Sequence, residues 1–225
     1  MRVTIKTENP QGDCPGELSG HGEGKTMGLV VIQEWWGMNQ YIVDKAKEIG
    51  KEGGFVTIVP DLYRGKVAKD REEAGHLKNG LDWMGAVKDI EGAEQYLKSV
   101  GCLKVGVTGF CMGGALSLAA AALVPGLTAA APFYGIPSPD LCDVSKIKIP
   151  LQCHFGELDT VEGLSAPKDQ DELKARLDTG GVNYEFFSYK AGHAFANGTS
   201  PNFVKECNDL AMKRMYSFMT KNLSG

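Results

Sequence analysis

The sequence predicts an α/β fold in which a mostly parallel central sheet carries helices on both faces. Short apolar runs of strand length alternate with stretches of helical periodicity along the chain. The strand runs are continuously apolar rather than alternating, which is typical of strands buried on both faces. The 225 residues contain no internal repeat and no low-complexity linker. We therefore expect a single domain over residues 1–225.

The elements follow from local pattern, taken in chain order. The glycines in segment 12–28 predict a surface hairpin or loop, and LVVIQ at 29–33 is expected to be the first parallel strand. An amphipathic helix is expected at 41–52, closed by Gly53-Gly54. The strand FVTIV at 55–59 is stopped by Pro60.

The second half repeats the same alternation. A polar helix or lid segment is expected near 69–79, and the spacing of apolar residues predicts a helix over 83–100. Apolar runs predict further strands, at 104–108, 127–134, 150–155 and 183–188. The remaining helices are expected at 112–123, which is rich in alanine, and at 166–178 and 203–222.

Composition excludes several classes of partner. The net charge is −4 and no basic run stands out, so we expect neither nucleic acid nor an anionic membrane as a partner. The first ten residues lack the apolar core of a secretory signal, and the longest apolar stretch, 115–124, is too short to span a bilayer. Six scattered cysteines without a C-x-x-C pair indicate free thiols in a cytoplasmic protein. We expect a monomer or small homo-oligomer.

Neither metal nor cofactor is expected. The chain has no H-E-x-x-H motif and no cluster of cysteines and histidines at ligand spacing. Its glycines do not form a strand–G-x-G-x-x-G–helix unit, so no nucleotide is implied.

Reactive side chains follow successive strands at the carboxyl edge of the expected sheet, where ligands of such sheets bind. Cys111 stands in a G-x-C-x-G turn between a strand and a helix, the position of the nucleophile in an α/β-hydrolase elbow. Asp159 and His193 follow later strands. The order nucleophile, acid, histidine is that of α/β-hydrolases, so we expect His193 to act as base and Asp159 to orient it.

The turn also supplies electrostatic support. A thiol at the start of the 112–123 helix meets free amides and the positive end of the helix dipole, which favour the thiolate. The backbone amide of Met112 is expected to stabilise an oxyanion, with the amide of Trp35 as the second donor. Trp36 and Tyr134 are expected to line the substrate pocket, although the tryptophans suit core packing equally well.

Four motifs together resemble the dienelactone hydrolase family: QEWWG at 33–37, PDLY at 60–63, GFCMGG at 109–114 and GHAFA at 192–196. The resemblance runs from about residue 28 to 203. It implies a hydrolase of small lactones or carboxylic esters with Cys111, Asp159 and His193 as catalytic triad. It further implies that Glu34 lies beside the cysteine and helps to control its ionisation.

The resemblance also points to substrate-binding residues. Family substrates are anionic and usually meet arginines, and Arg71 resembles one of them. A second arginine would fall at position 197, where this chain has Asn197, so a charge-assisted contact becomes at best a neutral one. Arg64 is a candidate replacement. A related ester or lactone other than dienelactone is therefore an open alternative.

Two other functions fit the same fold. In one, the pocket binds a small acid without turnover. In the other, Cys111 is a redox-sensing thiol, which would need a resolving cysteine, with Cys102 and Cys142 as the loose candidates. Turnover of an ester would distinguish the hydrolase from the binding module. Reversible oxidation of Cys111 by peroxide would indicate the redox sensor.

Overall fold

The computed structural model describes residues 1–225 and contains eight strands and six α-helices. The strands are β1 Arg2–Ile5, β2 Cys14–Ser19, β3 Met27–Ile32, β4 Val56–Pro60, β5 Lys104–Phe110, β6 Ala129–Phe133, β7 Leu151–Gly156 and β8 Tyr184–Tyr189. The helices are α1 Gln40–Gly53, α2 Arg71–Asn79, α3 Trp83–Ser99, α4 Met112–Leu123, α5 Pro167–Gly180 and α6 Lys205–Leu223.

All eight strands belong to one sheet, in the order β1-β2-β4-β3-β5-β6-β7-β8. Strands β3 to β8 pair in parallel, whereas β1 and β2 add an antiparallel edge. Every residue of β4, β6 and β7 is buried, as the continuous apolar runs predicted. The predicted α/β-hydrolase fold with a mostly parallel sheet is confirmed.

Helices form a layer on each side of this sheet. Helix α1 contacts α6, and α3 contacts α4. Local capping sets several helix starts, because the side chains of Asn39, Asp70 and Asp82 accept hydrogen bonds from the first turns of α1, α2 and α3. None of the helices combines the length and the apolar character that crossing a bilayer would require.

The amino-terminal segment departs from the sequence prediction. Residues 12–28 were expected to be a surface hairpin or loop, but residues Cys14–Ser19 form β2 inside the sheet, between β1 and β4. The sequence CPGELS hides this strand because it contains proline, glycine and glutamate. Burial alternates along β2, so only half of its side chains needed to be apolar.

The predicted polar segment near 69–79 is helix α2, and its first residue is Arg71. The carboxyl ends of β3, β5, β7 and β8 all lie at one edge of the sheet because these strands run parallel. The loops that follow them carry Glu34, Cys111, Asp159 and His193. This edge therefore holds the candidate site.

Candidate active site

Cys111 occupies a sharp turn between β5 and α4. Its backbone has φ 57° and ψ −117°, a conformation that non-glycine residues rarely adopt. Two glycines make the turn possible, since a Cβ on Gly109 would lie 2.3 Å from the Gly113 carbonyl oxygen. A Cβ on Gly113 would lie 2.5 Å from the Ile32 carbonyl oxygen. The predicted elbow therefore depends on both glycines.

The structure brings the three predicted triad residues into one line. The Nε2 atom of His193 lies 3.2 Å from the Sγ atom of Cys111. On the other side of the ring, Nδ1 of His193 lies 2.8 Å from Oδ2 of Asp159. The Asp159 side chain is fully buried, and its other oxygen accepts the backbone N–H of Val161. Asp159 is thus held in place to orient the imidazole.

Two hydrogen bonds favour the protonated form of the His193 imidazole. Burial lowers its pKa, but hydrogen bonds with Asp159 and Cys111 outweigh burial and raise the pKa to about 10. The hydroxyl of Ser165 lies 3.0 Å from the same Nδ1 atom. An imidazolium beside a thiol stabilises negative charge on the sulfur.

Ser165 is a contact that the sequence analysis missed. It precedes α5, away from any strand end, and no motif marks it.

Glu34 is buried, and it lines the same cavity as Cys111 and His193. Its Oε2 atom accepts a hydrogen bond from Nδ2 of Asn197, while Oε1 is buried without a partner. The Asn197 amide is oriented by Thr199, whose N–H and hydroxyl both donate to Oδ1 of Asn197. Burial raises the pKa of Glu34 to about 7, although Asn197 and His193 lower it. The carboxyl therefore changes charge near neutral pH.

A cavity of about 520 Å³ opens onto the thiol of Cys111. Cys111, His193, Glu34 and Asn197 line it. The predicted binding residues Trp35, Trp36 and Arg71 also lie on its wall, together with Lys78 and the apolar side chains of Leu158, Val161 and Leu164. The volume suits a small organic molecule.

Two backbone amides were expected to hold an oxyanion. Met112 is the first residue of α4, so its N–H has no carbonyl of an earlier helical turn to bond. The N–H of Trp35, in the loop after β3, forms no hydrogen bond within the protein. Free amides on two loops at the same sheet edge are the usual construction of an oxyanion hole.

Two predicted contacts are corrected by the structure. Tyr134 was expected to line the pocket, but it is fully buried and forms no part of the cavity wall. Its ring instead packs edge-on against His193, with centroids 5.2 Å apart. Arg64, the candidate second arginine, points away from the site, because both its terminal nitrogens bond the buried Asp89.

No group of three or more histidine, cysteine, aspartate or glutamate side chains is arranged to hold a metal ion.

Comparison with known proteins identifies the family. The model of the dienelactone hydrolase family matches residues 18–223. The chain belongs to the dienelactone hydrolase family. The match covers the helices on both faces of the sheet and every residue of the predicted triad and of the cavity wall, and family membership makes the chain a carboxylic ester hydrolase. The predicted resemblance is confirmed.

Individual relatives cover most of the chain. Protein usf of Aquifex pyrophilus is 38% identical over 193 residues, which is 80% of this chain and 81% of that protein. Carboxymethylenebutenolidase of Pseudomonas putida is 28% identical, over 85% of this chain and 84% of that one. A solved dienelactone hydrolase-like promiscuous phosphotriesterase from metagenomic libraries superposes with a TM-score of 0.84. At 20% identity over 100% of this chain and 99% of that one, it supports the fold alone.

Proposed function

We propose that this hydrolase cleaves small carboxylic esters or lactones with Cys111 as its covalent nucleophile. The observation that carries the proposal is the continuous line from Asp159 through His193 to Cys111, with contacts of 2.8 and 3.2 Å. The line ends at a cavity of about 520 Å³, so the sulfur faces space that a small ester can occupy.

The first half of the reaction acylates the enzyme. The Cys111 thiolate attacks the ester carbonyl carbon, and the carbonyl oxygen becomes an oxyanion near the amides of Met112 and Trp35. When the tetrahedral adduct collapses, the C–O bond breaks and the leaving oxygen takes a proton from the His193 imidazolium. The acyl group remains on sulfur as a thioester. In a lactone the leaving alcohol stays attached to the acyl group.

The second half releases the acid. Neutral His193 takes a proton from water, and the hydroxide adds to the thioester carbonyl. Collapse breaks the C–S bond and returns sulfur as thiolate beside the imidazolium. Asp159, fully buried, stabilises the imidazolium each time it forms and keeps Nε2 directed at the sulfur. The product is a carboxylate.

Glu34 would restrain the thiolate between turnovers. An ionised carboxyl in the same cavity wall disfavours a second negative charge on Cys111, which protects the sulfur from oxidation. An anionic substrate that displaces or neutralises Glu34 would release this restraint. The Asn197 amide that donates to Glu34 carries no charge, so it holds the carboxyl in place without pairing its negative charge.

Two alternatives make different use of the same residues. A module that only binds a small acid has no need of the Asp159–His193–Cys111 line. A redox sensor would form a disulfide from Cys111, yet the candidate partners Cys102 and Cys142 are buried. Family membership and the triad geometry favour hydrolysis over both.

The proposal is tested by steady-state hydrolysis of dienelactone, a neutral aryl ester and an anionic aryl ester. Wild type, Cys111→Ala and the control Cys207→Ala are compared, because Cys207 is a partly exposed thiol outside the cavity wall. We expect turnover of at least one substrate that Cys111→Ala loses by a factor on the order of 10³ and Cys207→Ala retains. Equal activity in all three proteins would contradict the cysteine mechanism.

A further inference from the structure

We propose that Ser165 is a positioning residue for the reaction, a second hydrogen-bond acceptor on Nδ1 of His193 that holds the ring and stabilises its imidazolium. Asp159 is the first acceptor on the same nitrogen. The inference rests on the proposed function, because it concerns the base of that reaction. Ser165 acts through His193 alone, since it forms no part of the cavity wall.

The hydrogen on Nδ1 fixes the direction of both bonds. Nδ1 of His193 lies 2.8 Å from Oδ2 of Asp159 and 3.0 Å from Oγ of Ser165. A carboxylate can only accept, so Nδ1 carries the hydrogen. A ring nitrogen that carries a hydrogen has no free lone pair, and the hydroxyl oxygen of Ser165 therefore accepts as well. The N–H is shared between two oxygens in a three-centre hydrogen bond.

Hydrogen bonds on both sides hold the Ser165 backbone in place. The residue is fully buried, and its N–H donates to the Val161 carbonyl oxygen at 3.0 Å. Its own carbonyl accepts Nε2 of Gln170 at 2.8 Å, and the same Nε2 donates to the carbonyl of Gly156 at the end of β7. A hydroxyl on a backbone fixed in this way needs little rearrangement when His193 becomes charged.

One loop, between β7 and α5, supplies both acceptors. The N–H of Val161 donates to Oδ1 of Asp159 at 2.9 Å, while the Val161 carbonyl accepts the N–H of Ser165. Val161 therefore ties the two acceptor residues to each other. Groups that are braced by such supporting bonds keep the alignment that a reaction needs.

The shared N–H restricts the orientation of the ring. A half-turn about χ2 would direct the Cδ2 carbon of His193, in place of Nδ1, at both oxygens, and both hydrogen bonds would be lost. The second acceptor thus raises the cost of leaving the orientation in which Nε2 lies 3.2 Å from Sγ of Cys111. It also favours the charged ring over the neutral one, because hydrogen bonds from a charged donor are about twice as strong.

The kinetic test compares wild type, Ser165→Ala and Ser165→Thr with 4-nitrophenyl butyrate at neutral pH. For Ser165→Ala we expect kcat to fall about tenfold, because one charge-assisted hydrogen bond to the imidazolium is lost. KM should stay within about twofold of wild type, since Ser165 does not line the cavity. Ser165→Thr keeps the hydroxyl and should retain most of kcat.

The matched control is Thr57→Val, which removes a hydroxyl that is equally buried. This hydroxyl donates to the Ala46 carbonyl at 3.1 Å and belongs to β4, outside the cavity wall. The control should therefore keep kcat within about twofold of wild type. A loss of kcat in Thr57→Val as large as in Ser165→Ala would assign the effect to packing and overturn the role of Ser165.

Titration of the His193 ring, followed by NMR on protein labelled with 15N-histidine, measures the contact without substrate. The chain has four histidines, and the signals of His193 are identified by their absence in His193→Gln. Hydrogen bonds with Asp159 and Cys111 place the pKa of His193 at about 10. Ser165→Ala should lower the titration midpoint by about half a pH unit or more, whereas Ser165→Thr and Thr57→Val should leave it unchanged.

An unchanged midpoint in Ser165→Ala would overturn the proposal, whether or not kcat falls. A midpoint in Ser165→Thr as low as in Ser165→Ala would also contradict a role for the hydroxyl. If wild type hydrolyses no ester through Cys111, the proposed function fails on that result alone. The midpoint of His193 then still decides whether Ser165 stabilises the imidazolium.

Discussion

Glu34 is the residue whose burial has the clearest energetic consequence. Its carboxyl is almost fully buried, it has one neutral partner, Asn197, and one of its oxygens has none. Burial disfavours the ionised carboxylate more than Asn197 and His193 favour it, so the pKa of Glu34 rises from 4.5 to about 7. Such a residue weakens the fold when ionised, and its position in the cavity wall with Cys111 supports the proposed role in the reaction.

The pH dependence of Glu34→Gln tests this reading. The native state holds the proton of Glu34 up to pH about 7, whereas the unfolded chain releases it near 4.5, so this residue lowers stability as pH rises between those values. We expect Glu34→Gln to be more stable relative to wild type at pH 8 than at pH 5, by up to about 3 kcal/mol. Urea unfolding at both pH values measures the difference.

A matched control is Glu72→Gln, an exposed carboxylate on α2 that should give the same small effect at both pH values. The kinetic counterpart is that Glu34→Gln should hydrolyse substrate at an altered rate. A stability difference that is the same at pH 5 and pH 8, together with wild-type kinetics, would remove Glu34 from the mechanism.

At the scale of elements, the β5–α4 turn is the part of the fold that positions the proposed nucleophile. The strand delivers Cys111 to the sheet edge, and the helix begins at the next residue. The turn is crowded by backbone atoms, because a Cβ on Gly113 would lie 2.5 Å from the Ile32 carbonyl oxygen and 2.6 Å from that of Gln33. Backbone cannot move aside as a flexible side chain can.

Substitution of single glycines tests the turn. We expect Gly113→Ala to lose about 3 kcal/mol of unfolding free energy and most of the activity, because its methyl group meets backbone of β3 and the loop after it. Gly75→Ala on α2 is the matched control, since no atom lies within 4 Å of its Cβ position. That variant should gain up to about 1 kcal/mol from helix propensity. Similar effects of both substitutions would contradict a crowded turn.

Most of the parallel sheet was predictable from sequence, because buried strands need continuous apolar runs, and those runs are visible. The antiparallel strand β2 was not, since its alternating burial tolerates proline, glycine and glutamate. The order of Cys111, Asp159 and His193 placed them at one edge because parallel strands end together. By contrast, Ser165, Lys78 and the inward turn of Tyr134 depend on how loops and helices fold back, which no local pattern records.

At the scale of the whole molecule, positive charge is concentrated on the cavity wall although the chain as a whole is negative. The chain carries a net charge of −4, yet the cavity wall holds two unpaired cations, an imidazole and one buried carboxyl. An anionic molecule is therefore attracted to the cavity against the charge of the whole surface. This local field, the elbow and the line from Asp159 to Cys111 all fit the proposed reaction, acyl transfer to sulfur.

Detection of the acyl-enzyme tests that reaction most directly. The protein is mixed with an aryl ester, quenched in acid within milliseconds and analysed by peptide mass spectrometry, with Cys111→Ala in parallel. Covalent catalysis by Cys111 predicts that the peptide containing Cys111 gains the mass of the acyl group, that hydroxylamine removes it, and that Cys111→Ala forms neither adduct nor product. Release of product by Cys111→Ala at the wild-type rate, with no adduct on Cys111 in the wild type, would contradict it.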